Sequence, residues 1–396
     1  MDVTFFAGNR AKLKELEPTA LIVIAGNDEV QRRADAAFAF VQEANFYYLT
    51  GVNEPGWKLV LTPDEEFLIG PERSDAQTLF DGSLAHEEVT RTSGVTTVVS
   101  LKEGEARLKE LASVHKKVLT ILEHPYQSHF GFAPNPGPDA NIRKLKKLFE
   151  ELGDVRTTVT RMRAIKQPEE LAMIRRAIHA SIAGFSRVRA ELLGYDNERK
   201  IEATLWYEFL QMADGHAYDP IVASGANACT LHYTANAAKL EDGSLVLIDA
   251  GAQVGEYAAD ITRTYAYGAS TDRQKAVHAA VETAHQKIIA LLRPGLEIKT
   301  YSDQVDEILK GALKSVGLYE KPSDYRRYFP HAISHGLGID VHDSLGGFKE
   351  FQPGMVLTVE PGIYIPEEGI GVRSEDDILI TEDSHENLSA ALPTLL

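Results

Sequence analysis

The chain has 396 residues, room for two domains of ordinary size, and its composition, 44% hydrophobic and 25% charged, is that of a globular protein. Acids outnumber bases by 58 to 41, for a formal charge of −17, which argues against a nucleic-acid binder built on phosphate contacts and against an anionic membrane surface. The single cysteine, Cys229, excludes an internal disulfide and a cysteine-cluster metal site, fits a reducing cytoplasm, and reads as a half-buried core residue.

Residues 1–18 carry no apolar core of signal-peptide length. The apolar run at 21–25 is far short of the ~20 residues of a membrane span. A soluble, cytoplasmic protein is expected. Short apolar runs at 20–24, 46–49, 57–61, 67–69 and 118–122 predict buried strands, with a helix at 105–111 between two of them. Strands alternating with helices predict a mixed α/β first domain. The proline- and glycine-rich stretch 130–138 predicts a loop, followed by a charged helix over 141–152. Pro168, followed by Glu169 and Glu170, suits the first turn of a helix. Leu171, Ile174, Ile178, Ile182 and Phe185 continue it at helical spacing. The domain boundary is placed at 155/156, giving domains 1–155 and 156–396. Thr271 with Gln274 forms a capping box for a helix running to about 292, and another helix spans 302–315. The remainder of the second domain reads as strand-rich.

A weak internal repeat sits in that second domain. Residues 243–251, ending Asp249-Ala250-Gly251, align with 354–362, ending Glu360-Pro361-Gly362. A further acid follows each, Asp260 after 11 residues and Glu375 after 15. This predicts two related halves, each sending two acids to one place. Four acids near a core repel one another and are costly to desolvate, so they call for protons or cations. Two divalent metals match four negative charges, and oxygen-rich ligation favours Mn²⁺, with Co²⁺ or Zn²⁺ as alternatives. Residues 331–343 add His331, His335 and His342. Gly336 and Gly338 break a helix there, so a loop or strand is expected.

These stretches, with Ser224-Gly225-Ala226-Asn227, Leu231-His232-Tyr233, Ala259-Asp260-Ile261-Thr262-Arg263-Thr264 and Gly371-Val372-Arg373-Ser374-Glu375, resemble the creatinase, aminopeptidase P, prolidase and methionine aminopeptidase family. The resemblance implies an α+β chain: a C-terminal pita-bread fold with pseudo-two-fold halves behind a smaller α/β domain. Phe46 to Pro55 resembles the N-terminal domain of aminopeptidase P and prolidases. The resemblance puts metal ligands at Asp249, Asp260, His335, Glu360 and Glu375, with Asp260 and Glu375 bridging two ions. A hydroxide held by the ions would attack the scissile carbonyl, and Glu360 would shuttle its proton. His232 and His342 would contact substrate and His331 a proline pocket. Arg373, two residues before Glu375 in an alternating strand, would hold the bridging acid or substrate. Tyr218 and Tyr364 match substrate-side tyrosines, with core packing as the competing reading. The other histidines, His86, His124, His278 and His385 among them, read as solvated or incidental.

Xaa-Pro aminopeptidase activity is the expected function. An Xaa-Pro dipeptidase is the alternative, disfavoured because the resemblance places an arginine-bearing insertion here in eukaryotic-type prolidases, whereas residues 344–354 form a short link whose one cation is Lys349. A metal-free creatinase-like enzyme or a non-catalytic binding module is the second class, disfavoured because all five ligands are present. Xaa-Pro peptides are the expected partners, and the resemblance implies a homodimer or higher homo-oligomer.

Overall fold

Short strands rich in apolar residues build the N-terminal unit, Met1–Met162, in a computed structural model that describes residues 1–82, 84–122 and 125–396. Its six-stranded sheet runs in the order Val98–Val99, Glu66–Ile69, Lys58–Leu61, Ile22–Ala25, Lys117–Thr120, Glu151–Asp154. The three central neighbours pair antiparallel and the outer pairings are parallel. Leu21, Val23, Val60, Phe67, Ile69, Val118 and Leu145 form its core, each burial stabilising by roughly 1.5–3 kcal/mol.

Two expectations fail here. The run 46–49 lies in helix Ala44–Thr50, not a strand. Glu43 caps it by accepting from Phe46 N–H, and Gly51 closes it in the left-handed conformation at φ 68°. Nearly every side chain of this helix is buried, which erases the polar face that would reveal helical period. The second failure is the loop at 130–138. Asn135 caps helix Pro136–Leu148, whose first turn absorbs two of the prolines, and 151–154 is a strand. His124 lies outside the described residues.

The second unit, Arg163–Leu396, is built from two similar halves. Each contributes two helices, then an antiparallel strand pair: Pro168–Glu191 and Glu198–Met212 before Ser244–Ala250 with Ile261–Tyr267, and Asp272–Ile289 and Ile298–Ser315 before Val356–Val359 with Asp376–Ile380. The units divide inside helix Arg156–Ala164, later than the expected 155/156, because nothing in the local pattern breaks that helix. Pro168 takes the first helical position, and Gln167 with Glu170 closes a capping box. Helix Glu198–Met212 was not anticipated. It buries Ile201, Leu205 and Phe209 at four-residue steps but leaves Trp206, Tyr207 and Leu210 exposed, which blurs its apolar stripe. Gly184 lets it pack closely on Pro168–Glu191, since a Cβ there would sit 2.7 Å from the Phe209 ring. Among the described residues, no helix is long and apolar enough to cross a membrane.

Candidate metal centre

Strand register brings the acids together. In the first half Asp249 pairs with Thr262 and Ala250 with Ile261, so Asp249 and Asp260 flank one end of the ladder. In the second half Val359 pairs with Asp376, placing Glu360 and Glu375 likewise. The segment between the two acids forms a hairpin in both halves, Ala252–Val254 with Tyr257–Ala258 and Gly362–Ile365 with Ile370–Arg373. An isolated bridge joins the halves, with Glu375 N–H donating to Thr262 O at 3.0 Å. The repeat read from sequence is therefore strand, acid, residue, glycine, hairpin, acid, strand, used twice.

Carboxylate oxygens of Asp249, Asp260 and Glu375 lie within 4.8 Å of one another, as do ligand atoms of His335, Glu360 and Glu375, and those of Asp260, His335 and His342. The His335 segment is a loop, held beside strand Val356–Val359 by Thr358 N–H to His335 O at 2.9 Å and Glu360 N–H to Ile333 O at 3.0 Å. His335 Nδ1 faces Gly336 O at 3.0 Å, which leaves Nε2 at 3.4 Å from both Asp260 Oδ2 and Glu360 Oε1. His342 is exposed, its ring 4.3 Å from that of His335. His232 is exposed on the loop after the turn Gly225–Cys229.

The electrostatics are those of an anion cluster short of counter-charge. Burial, then Asp260, Glu360 and Asp249, push the Glu375 carboxyl well above the usual carboxylate range. Burial raises Asp260 to about 6 against the pull of His335. Burial opposes a proton on His335, but Asp260 and Glu360 outweigh it and lift the imidazole to about 9. Burial would raise Glu360 too, but His331 and His335 hold it low. Two divalent cations would relieve this repulsion, and the oxygen-rich donor set with one imidazole fits them.

Arg373 Nη2 pairs with Asp249 Oδ2, Nη1 donates to Tyr364 Oη at 2.8 Å and Nε to Thr262 Oγ1 at 3.0 Å. Its strand stops at Arg373 rather than continuing to Glu375, yet Nε still lies 4.0 Å from Glu375 Oε2. Tyr218 Oη lies 2.5 Å from Asp249 Oδ1 and 2.6 Å from Asp260 Oδ1, so one hydroxyl serves both acids. His331 Nε2 meets Tyr364 Oη at 2.9 Å and Nδ1 lies 3.4 Å from Glu360 Oε2. Tyr364 is buried and also packs with Ile221, Ala223, Ala228 and Leu247, so packing and polar contact coexist there.

Sequence reasoning overlooked Thr262 and Asp377. Thr262 Oγ1 donates to Glu375 Oε2 at 2.6 Å, and buried Asp377 accepts from Asp260 N–H at 3.1 Å. Thr262, two residues beyond Asp260, carried the signal of strand alternation. Asp377 carried none. His278 is buried rather than solvated, on helix Asp272–Ile289, and Cys229 is half-buried as expected.

The chain matches metallopeptidase family M24 over residues 172–382 and the aminopeptidase P N-terminal domain over residues 6–120. It is 34% identical to the Xaa-Pro aminopeptidase of Haemophilus influenzae, over 96% of this chain and 92% of that protein. Identity to the Xaa-Pro aminopeptidase of Escherichia coli is 33%, over 97% and 93%. The solved low-pH form of aminopeptidase P from E. coli is similar at a TM-score of 0.87 and 31% identity, covering 100% of this chain and 96% of that one.

Proposed function

This chain belongs to metallopeptidase family M24, and we propose that it is an Xaa-Pro aminopeptidase, a metallo-exopeptidase that releases the residue preceding proline from the N-terminus of a peptide. The observation that carries the reading is the convergence of Asp249, Asp260, His335, Glu360 and Glu375 from both halves of the second unit onto one cluster. The full-length similarity to Xaa-Pro aminopeptidases favours this reading over a dipeptidase.

In this reading Asp249, Asp260, His335, Glu360 and Glu375 would together hold the divalent ions. Bound there, the ions, Mn²⁺ in preference to Co²⁺ or Zn²⁺, would lower the pKa of water and polarise the scissile carbonyl. Arg373 and Tyr218 fix the orientation of Asp249. Glu360, kept ionised by His331 and His335, accepts the proton of the attacking water and passes it to the proline nitrogen. That nitrogen belongs to a tertiary amide with no N–H, so the leaving group must be protonated by the enzyme and recognised by shape. His232 and His342 face the substrate, His331 and Tyr364 border the proline pocket, and a homodimer or higher oligomer in the cytoplasm completes the reading.

Glu375→Ala removes the acid that lies within ligand distance of both the Asp249–Asp260 pair and the His335–Glu360 pair. It should abolish Xaa-Pro hydrolysis and cut bound metal, read by elemental analysis beside the kinetic assay. Substantial turnover by this variant would contradict the assignment.

A further inference from the structure

Glu198, the first residue of helix Glu198–Met212, is fully buried, and its carboxylate gathers five donors. Ser224 N–H at 2.8 Å, Ser224 Oγ at 2.7 Å and Asn227 Nδ2 at 3.1 Å donate to Oε1. Tyr233 Oη at 2.9 Å and Ala238 N–H at 2.8 Å donate to Oε2. A carboxylate offers about four lone-pair sites, so this one is saturated. Burial alone would raise its pKa, but the bonds from Ser224 and Ala238 prevail and hold it low. An ionised group this deep is tolerable only with such pairing.

All five donors come from one stretch, 224–238, with His232 in its middle. Leu231 and Tyr233, the neighbours of His232, pack inward on the cluster around Tyr364, while His232 itself is exposed. On another side the turn Gly225–Cys229 rests on strand Ile370–Arg373. A Cβ at Gly371 would fall inside van der Waals distance of Ala228 O. Asn236, at φ 44°, adds a second clamp by accepting from Val222 N–H at 2.9 Å and donating to Pro220 O at 2.9 Å.

We propose that Glu198 is a positioning residue for His232: it gathers the two ends of the loop into one buried carboxylate and so fixes where the imidazole stands relative to the substrate. This rests on the Xaa-Pro aminopeptidase reading. Glu198 touches no substrate itself.

The test is a double-mutant cycle between Glu198→Gln and His232→Ala on a metal-loaded Xaa-Pro-Yaa assay. The glutamine presents an NH₂ group to donors. Displacement of a substrate-facing group by such a change should lower kcat/KM about 10- to 100-fold while bound metal stays at the level of the unmodified protein. In the His232→Ala background the same change should cost less than about twofold, because the group it positions is already gone. A purely structural defect would multiply the loss equally in both backgrounds and would overturn the proposal, as would full activity of Glu198→Gln. Should that variant fail to fold, Tyr233→Phe deletes a single donor and is read by the same cycle. No hydrolysis by the unmodified chain would sink the peptidase reading and this proposal together, whereas hydrolysis with an additive cycle sinks only the role of Glu198.

Discussion

A carboxylate or imidazole inside this protein is defined by the atoms it faces. The four acids were legible from the repeat and its spacing, and His335 became a ligand candidate only through the family resemblance. Asp377 and Glu198 were not legible, because they act through another residue and nothing in a lone aspartate or glutamate advertises that, whereas Thr262 shared the strand face of Asp260 and could have been read from that alternation. His216 shows the opposite case, a titratable group with no polar partner. Both ring nitrogens are buried and unpaired, the ring stacks on Trp206 at 4.8 Å, and burial pushes its pKa down to about 4. The unfolded chain takes up this proton near pH 6.5 and the folded chain only near 4, so stability falls as pH drops through that interval. At pH 5 the penalty is about 2 kcal/mol. His216→Phe keeps the stack and removes the proton, and should raise the midpoint of thermal unfolding at pH 5 more than at pH 8. An unchanged pH slope would show that His216 is protonated in the fold.

At the scale of elements, the glycine after each first acid explains how two strands bring carboxylates close. A Cβ at Gly251 would collide with Ala259 O, next to Asp260, and one at Gly362 would lie 2.6 Å from Tyr364 Oη. The first obstacle is backbone and cannot swing aside. Gly251→Ala should therefore push the Asp249 and Asp260 segments apart, costing on the order of 1–3 kcal/mol of stability and about 100-fold in kcat. Denaturant unfolding alongside kinetics reads both, and normal activity would mean that the backbone accommodates the methyl without moving the acids. Elements were legible where capping chemistry was local, as at Pro168 and Thr271. They were misread where tertiary burial hid the period, as in helix Ala44–Thr50, or where exposed aromatics disguised it, as in helix Glu198–Met212.

For the whole molecule, the repeat matters more than either half. Each half supplies two acids at one end of a strand pair, and the Thr262–Glu375 bridge sets the pairs against each other. The charge of −17 first indicated only what the protein does not bind. Four of those charges now have a place, in a cluster that calls for cations. The most direct measurement of the central claim is a paired assay on the unmodified protein with added Mn²⁺, comparing release of the first residue from an Xaa-Pro-Yaa tripeptide and from an Xaa-Pro dipeptide. The expected result is metal-dependent cleavage of the tripeptide at the Xaa-Pro bond, lost on chelation and restored by the ion. Cleavage of the dipeptide alone, or tripeptide cleavage indifferent to metal, would contradict it.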